Sequence, residues 1–72
     1  MKSNAQFAIS SSRYVRIPLA AARTGYSVEA IETKVKRGVW LLGKEYIRAP
    51  DGAVLIDMEG YERWAEGQRL AA

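Results

Sequence analysis

Glu45-Tyr46-Ile47-Arg48-Ala49-Pro50-Asp51-Gly52-Ala53-Val54-Leu55-Ile56 is the stretch that decides the fold. Its two ends, Glu45 to Arg48 and Ala53 to Ile56, are short β-prone runs. Between them stands Ala49-Pro50-Asp51-Gly52. Pro fixes its own φ, Asp bonds the nearby backbone, and Gly accepts a positive φ without a steric cost. The pattern predicts a tight β-hairpin.

Working back from the hairpin, Ser27 is a good helix N-cap, because its hydroxyl can accept from a free backbone N–H. A helix is expected from Val28 to Arg37, with Gly38 as its stop. Val28, Ile31 and Val35 recur at i, i+3 and i+7 and form the expected buried stripe. The opposite face presents Glu29, Glu32, Thr33 and Lys36, with Lys34 and Arg37 flanking it. Glu29 near the start and Lys34, Lys36 and Arg37 near the end all suit the helix dipole. Further upstream, Pro18 fits a first helical turn, Leu19 to Arg23 are good helix formers, and Gly25 stops them. Before that helix, Tyr14-Val15-Arg16-Ile17 alternates as a very short strand.

Two short helices around Thr24-Gly25-Tyr26 outline a helix-turn-helix, an outline that many helical hairpins share. The β-hairpin that follows supplies a wing. Beyond it, Asp57 is placed to cap a third helix from Met58 to Glu66, ended by Gly67. Met58, Tyr61, Trp64 and Ala65 form the face expected to close the core against the first two helices. Trp40, Leu41 and Leu42 form a further apolar cluster. The expected fold class is therefore α+β: a small winged helix-turn-helix with a short N-terminal strand, two helices, a two-stranded wing and a closing C-terminal helix. Residues 1–12, with Phe7 and Ile9, read as a flexible arm. Residues 13–67 form the domain, and 68–72 a short tail.

Composition limits what such a domain can do. The chain has 72 residues, 11 Lys+Arg against 8 Asp+Glu, a net charge of +3, no Cys and no His. A chain of this size buries only about 60% of the surface its unfolded form exposes. Disulfides, Cys/His zinc sites, thiol nucleophiles and imidazole catalysis are all excluded. An enzyme is not expected, nor any cofactor, and Asp51, Asp57 and Glu59 read as turn and cap residues. There is neither a long apolar span nor a signal-peptide pattern, so the expected place is the cytoplasm. The charge is also segregated. Eight bases and three acids lie between Arg13 and Arg48, and two bases and five acids between Ala49 and Ala72. A net +5 followed by a net −3 is read either as a polyanion-binding half or as an ordinary solvated surface whose charges happen to cluster.

The segment from Tyr14 to Gln68 resembles the small phage and prophage excisionases, which are recombination directionality factors of the MerR-like winged helix-turn-helix type. The resemblance rests on Trp40-x-x-Gly43-Lys44-Glu45-Tyr46, then Pro50-Asp51-Gly52 with its hydrophobic strand, then Tyr61-x-x-Trp64. Ahead of these, Thr24-Gly25-Tyr26-Ser27 opens a helix that ends in a basic cluster. The resemblance implies binding and bending of double-stranded DNA near an attachment site, in several copies on adjacent repeats. It also implies an integrase partner that performs the strand chemistry, and a working place on the bacterial nucleoid. The face bearing Glu29 and Glu32 is less basic than the family pattern. Two other readings compete: a phage repressor of the same fold with no recombination role, and a protein-binding adaptor, which would require an exposed apolar patch.

On the DNA-binding reading, Glu29, Glu32, Thr33 and Lys36 are the candidates for base contacts in the major groove. Glu29 either accepts from a cytosine amino group or serves the helix dipole. Glu32 either pairs with Lys36 or orients it. Arg16, Arg23, Ser27, Lys34, Arg37, Lys44 and Arg48 are the candidates for backbone or wing contacts. Lys44 and Arg48 alternatively shield a strand edge, and Ser27 alternatively serves only as a cap. Tyr14, Tyr26, Trp40, Tyr46, Tyr61 and Trp64 are expected in the core rather than as stacking platforms.

Overall fold

The β-prone runs form three antiparallel strands, and the last of them lies in the middle. The computed structural model describes residues 12–71, and the side chains of residues 12–67. The expected arm with Phe7 and Ile9 lies outside the described residues. The elements are β1 (Tyr14–Arg16), α1 (Ile17–Thr24), α2 (Val28–Lys36), β2 (Tyr46–Arg48), β3 (Val54–Asp57) and α3 (Met58–Ala71). The fold is α+β, with three helices and a three-stranded antiparallel sheet, consistent with a small winged helix-like fold.

The sheet order is β1-β3-β2. Val15 pairs with Ile56, and Tyr46 pairs with Ile56 from the other side. Those three residues share one face, which turns toward the core: Val15 and Ile56 are buried, and Tyr46 packs against them. The hairpin closes as expected. The Gly52 N–H donates to the Ala49 carbonyl at 2.8 Å, and the Ala53 N–H donates to Asp51 Oδ1 at 3.0 Å. Gly52 takes φ 90°, which an L side chain rarely adopts.

The helix boundaries follow the expected chemistry. Pro18 sits in the first turn of α1, and Gly25 caps it in the left-handed conformation with φ 87°. Ser27 caps α2 by accepting from the Ala30 N–H at 3.0 Å. Asp57 caps α3, its Oδ1 accepting from the N–H groups of Glu59 at 3.0 Å and Gly60 at 3.2 Å. Gly67, however, does not end α3, which continues to Ala71. Gly weakens a helix interior by about 1 kcal/mol but stops a helix only where the chain turns left-handed, and Gly67 has no positive φ.

The core is Val15, Ala20, Ile31, Trp40, Ile56 and Met58, with Tyr61 and Trp64 packed against it. Trp40 is fully buried and meets Tyr61 and Trp64 edge-on, with ring centroids 6.0 and 5.5 Å away. Such pairs contribute roughly 0.5–1.5 kcal/mol each beyond area burial. Several expected core residues lie outside it. Val28 is exposed, so the buried stripe of α2 narrows to Ile31 and the half-buried Val35. The first turn of α2 has solvent where the i, i+3 spacing anticipated a neighbour. Of the expected cluster after α2 only Trp40 is inside, while Leu41 and Leu42 are 48% and 62% exposed. Ala65, Tyr14 and Tyr26 are likewise exposed.

Candidate nucleic-acid interface

The cap at Ser27 starts α2 abruptly, and the burial of Ile31 fixes how the helix is rotated. Its outer face is thereby determined. Glu29, Glu32, Thr33, Lys36 and Arg37 are all exposed. A shallow groove of about 450 Å³ runs beside this face, lined by Ser27, Glu29, Ala30, Thr33, Lys34 and Arg37 and closed by Val39. The structure therefore brings Glu29 and Thr33 into one concavity and leaves Glu32 and Lys36 on the shoulder beside it. Both ion pairs found among the described residues belong to Arg13, so the alternative of a Glu32–Lys36 pair is not realised.

The basic residues divide by whether the protein already uses them. Arg23 Nη1 donates to the Ser12 carbonyl at 2.9 Å, which ties α1 to the segment before β1. The Lys34 amine lies 4.2 Å from the Tyr26 ring centroid and 6.0 Å from that of Trp64, so its charge stands over two aromatic faces. Arg48 Nη1 makes a long 3.3 Å bond to the Gly52 carbonyl across the wing tip. Arg16, Lys36, Arg37 and Lys44 are exposed and make no such contact among the described residues. Lys44 lies at the base of the wing, on the rim of a second groove with Glu45 and Arg63.

Three charged residues outside the candidate set brace the elements around this surface. Arg13 Nε and Nη2 donate to the two carboxylate oxygens of Asp57 at 3.0 and 3.1 Å. Asp57 is buried, and the Arg13 hydrogen bond, helped by the Gly60 and Glu59 N–H groups, holds its carboxyl below the usual aspartate range against the opposing effect of burial. The Arg13 guanidinium is held correspondingly more basic, first by its bond to Asp57. Glu45 is 9% exposed and accepts from the Leu41 N–H at 2.8 Å, bracing the turn between α2 and the wing. Neither role has a local signal. Arg13 and Asp57 are 44 positions apart, and Glu45 reads as an ordinary strand residue.

The family described as "Putative excisionase (DUF1233)" matches residues 7–69. The chain belongs to this excisionase family. No curated protein and no solved structure matches it. Membership in the excisionase family carries a recombination-related role. Among the described residues of this family member, no helix is long and apolar enough to cross a membrane, and no group of three or more acidic residues is gathered as a metal would require.

Proposed function

We propose that the protein is an architectural DNA-binding excision factor. It binds duplex DNA beside an attachment site through α2 and the wing, bends it, and directs a separate integrase toward excision of a prophage or mobile element. It performs no strand chemistry. Membership in the excisionase family over residues 7–69 carries this reading. The exposed charges of Arg16, Lys36, Arg37 and Lys44, which have no partner among the described residues, support it, because such cations can replace the counterions of phosphates. Arg48 at the wing tip and Lys34 at the groove rim complete the backbone set, and Arg23 and Ser27 contribute through the positions they hold. Thr33 and Lys36, with Glu29 and Glu32 beside them, face the base edges. One domain with a single reading helix covers a short site, so several copies act on adjacent repeats.

Footprinting on the DNA flanking its own gene tests the reading. A protected set of repeats is expected, with log affinity falling against log salt at a slope near −4 to −5 if about five phosphates are neutralised. A slope near zero, or no protected site, overturns it. Excision and promoter-reporter assays on that same DNA separate excision from repression.

The adaptor reading draws on one observation, the adjacent exposed leucines Leu41 and Leu42. Two side chains are a small fraction of a stable protein interface, which takes roughly 20–30 residues a side.

A further inference from the structure

We infer that the groove between α2 and Val39 reads the 5-methyl group of a thymine, with Val39 as the residue that senses it; the inference rests on the DNA-binding reading above. An isolated exposed valine would mean nothing, since most surfaces carry apolar side chains. Val39 is different because of where its exposed half lies. It is 49% exposed and lines the same shallow groove as the outer face of α2. Ala30 and Thr33 of the helix line it too, so three side chains that carry methyl groups border one groove, enough for a small apolar group.

The charges around the groove restrict what that group can belong to. Lys34 and Arg37 stand on its rim and suit the phosphates on either side of a base. Glu29 is also in the lining, and a carboxylate there repels a phosphate from the groove itself. A base edge satisfies both conditions, because an amino group can donate to Glu29 while a methyl enters beside Val39. Among the four bases only thymine presents an apolar group in the major groove. The expected reading is therefore thymine at the groove, with a base bearing an exocyclic amino group next to it.

Thymidine and deoxyuridine differ by that methyl alone, which makes the test direct. Affinity is measured on the footprinted repeat with each thymine replaced singly by deoxyuridine, using the full chain and its Val39→Ala variant. Val39 is exposed, so the variant should fold, as checked by its circular dichroism and melting temperature. The native protein should lose roughly three- to five-fold at one thymine per repeat, the value of one buried methyl. V39A should bind the unmodified repeat about as weakly as the native protein binds the substituted one, and should ignore the substitution. Equal sensitivity in both proteins would assign the methyl to another residue and overturn the inference. Tight, salt-dependent binding with no deoxyuridine effect overturns the inference alone. Failure of the folded protein to bind any duplex overturns the DNA-binding reading along with it.

Discussion

Arg13 and Asp57 meet in a two-pronged contact of 3.0 and 3.1 Å that joins the residue before β1 to the residue that ends β3 and caps α3. Asp57 has three duties there. It ends β3 opposite Tyr14, receives the arginine, and caps the helix with the same oxygen, Oδ1, that accepts from Arg13 Nε. A buried carboxylate is tolerated because every one of these partners donates to it.

Asp57→Ala removes the cap and leaves Arg13 only its longer, exposed pair with Glu59, so it should destabilise the domain by about 2 kcal/mol or more. Arg13→Ala should cost less, since the two backbone donors to Asp57 remain. Asp57→Asn keeps an acceptor for the cap and should fall between them. Urea denaturation at neutral pH gives the order, and equal losses for all three would contradict it.

The same carboxylate makes stability depend on pH. Its folded pKa lies below the ordinary aspartate value of 3.8, so the unfolded chain takes up the proton at higher pH than the folded one. The Asp57 contribution is thus fully present above 3.8 and is lost as the pH falls through the lower, folded value. The native protein should show a steeper loss of melting temperature in that acidic window than Asp57→Asn. Identical pH profiles for the two would refute the assignment.

Gly60 and Gly67 stand in one helix and should respond oppositely to alanine. A Cβ at Gly60 would collide with the Lys44 carbonyl oxygen, which is backbone and cannot move aside cheaply. Gly60→Ala should therefore destabilise by about 3 kcal/mol, in spite of the better helix propensity of alanine. At Gly67 nothing lies within 4 Å, and Gly67→Ala should stabilise by roughly 0.5–1 kcal/mol. Thermal denaturation of the two variants decides.

Glu45→Ala strands the Leu41 N–H in the turn that leads into the wing, and should cost about 1–3 kcal/mol. Glu45→Gln keeps the acceptor and should lose less than half of that. If alanine and glutamine are equally damaging, the charge rather than the hydrogen bond is what the turn requires.

On DNA, Lys36→Ala should relax sequence preference, reducing discrimination by about 1–3 kcal/mol at one position. Arg37→Ala should weaken all duplexes alike and reduce the salt slope by about 1. Competition binding with specific and scrambled duplexes measures both effects. The reverse outcome would mean that the reading face of α2 is rotated from the one described.

Much of the frame was legible because its signals are local. Ser27, Gly25, Asp57 and the Pro50-Asp51-Gly52 turn each act on backbone within a few residues, and each does in the structure what its chemistry suggests. Val28, Leu41 and Leu42 were misread because apolar spacing records which residues can be buried, whereas burial also needs a neighbour. The pairing of β1 with β3 was hidden for a related reason. A three-residue strand carries too few alternations to name a partner some forty positions away. The candidate site was legible as the exposed face of α2. The groove that Val39 completes was not, since the chain must pass Gly38 at φ 75° before that side chain comes round beside Thr33.

The central place of β3 has a consequence for the protein as it is made. Neither β1 nor β2 touches the other in the sheet, and each pairs only with Val54–Asp57. On the ribosome both wait, unpartnered, until that late strand emerges, and the sheet then forms in one event. A message broken anywhere before the Val54 codon consequently yields a chain with no sheet at all.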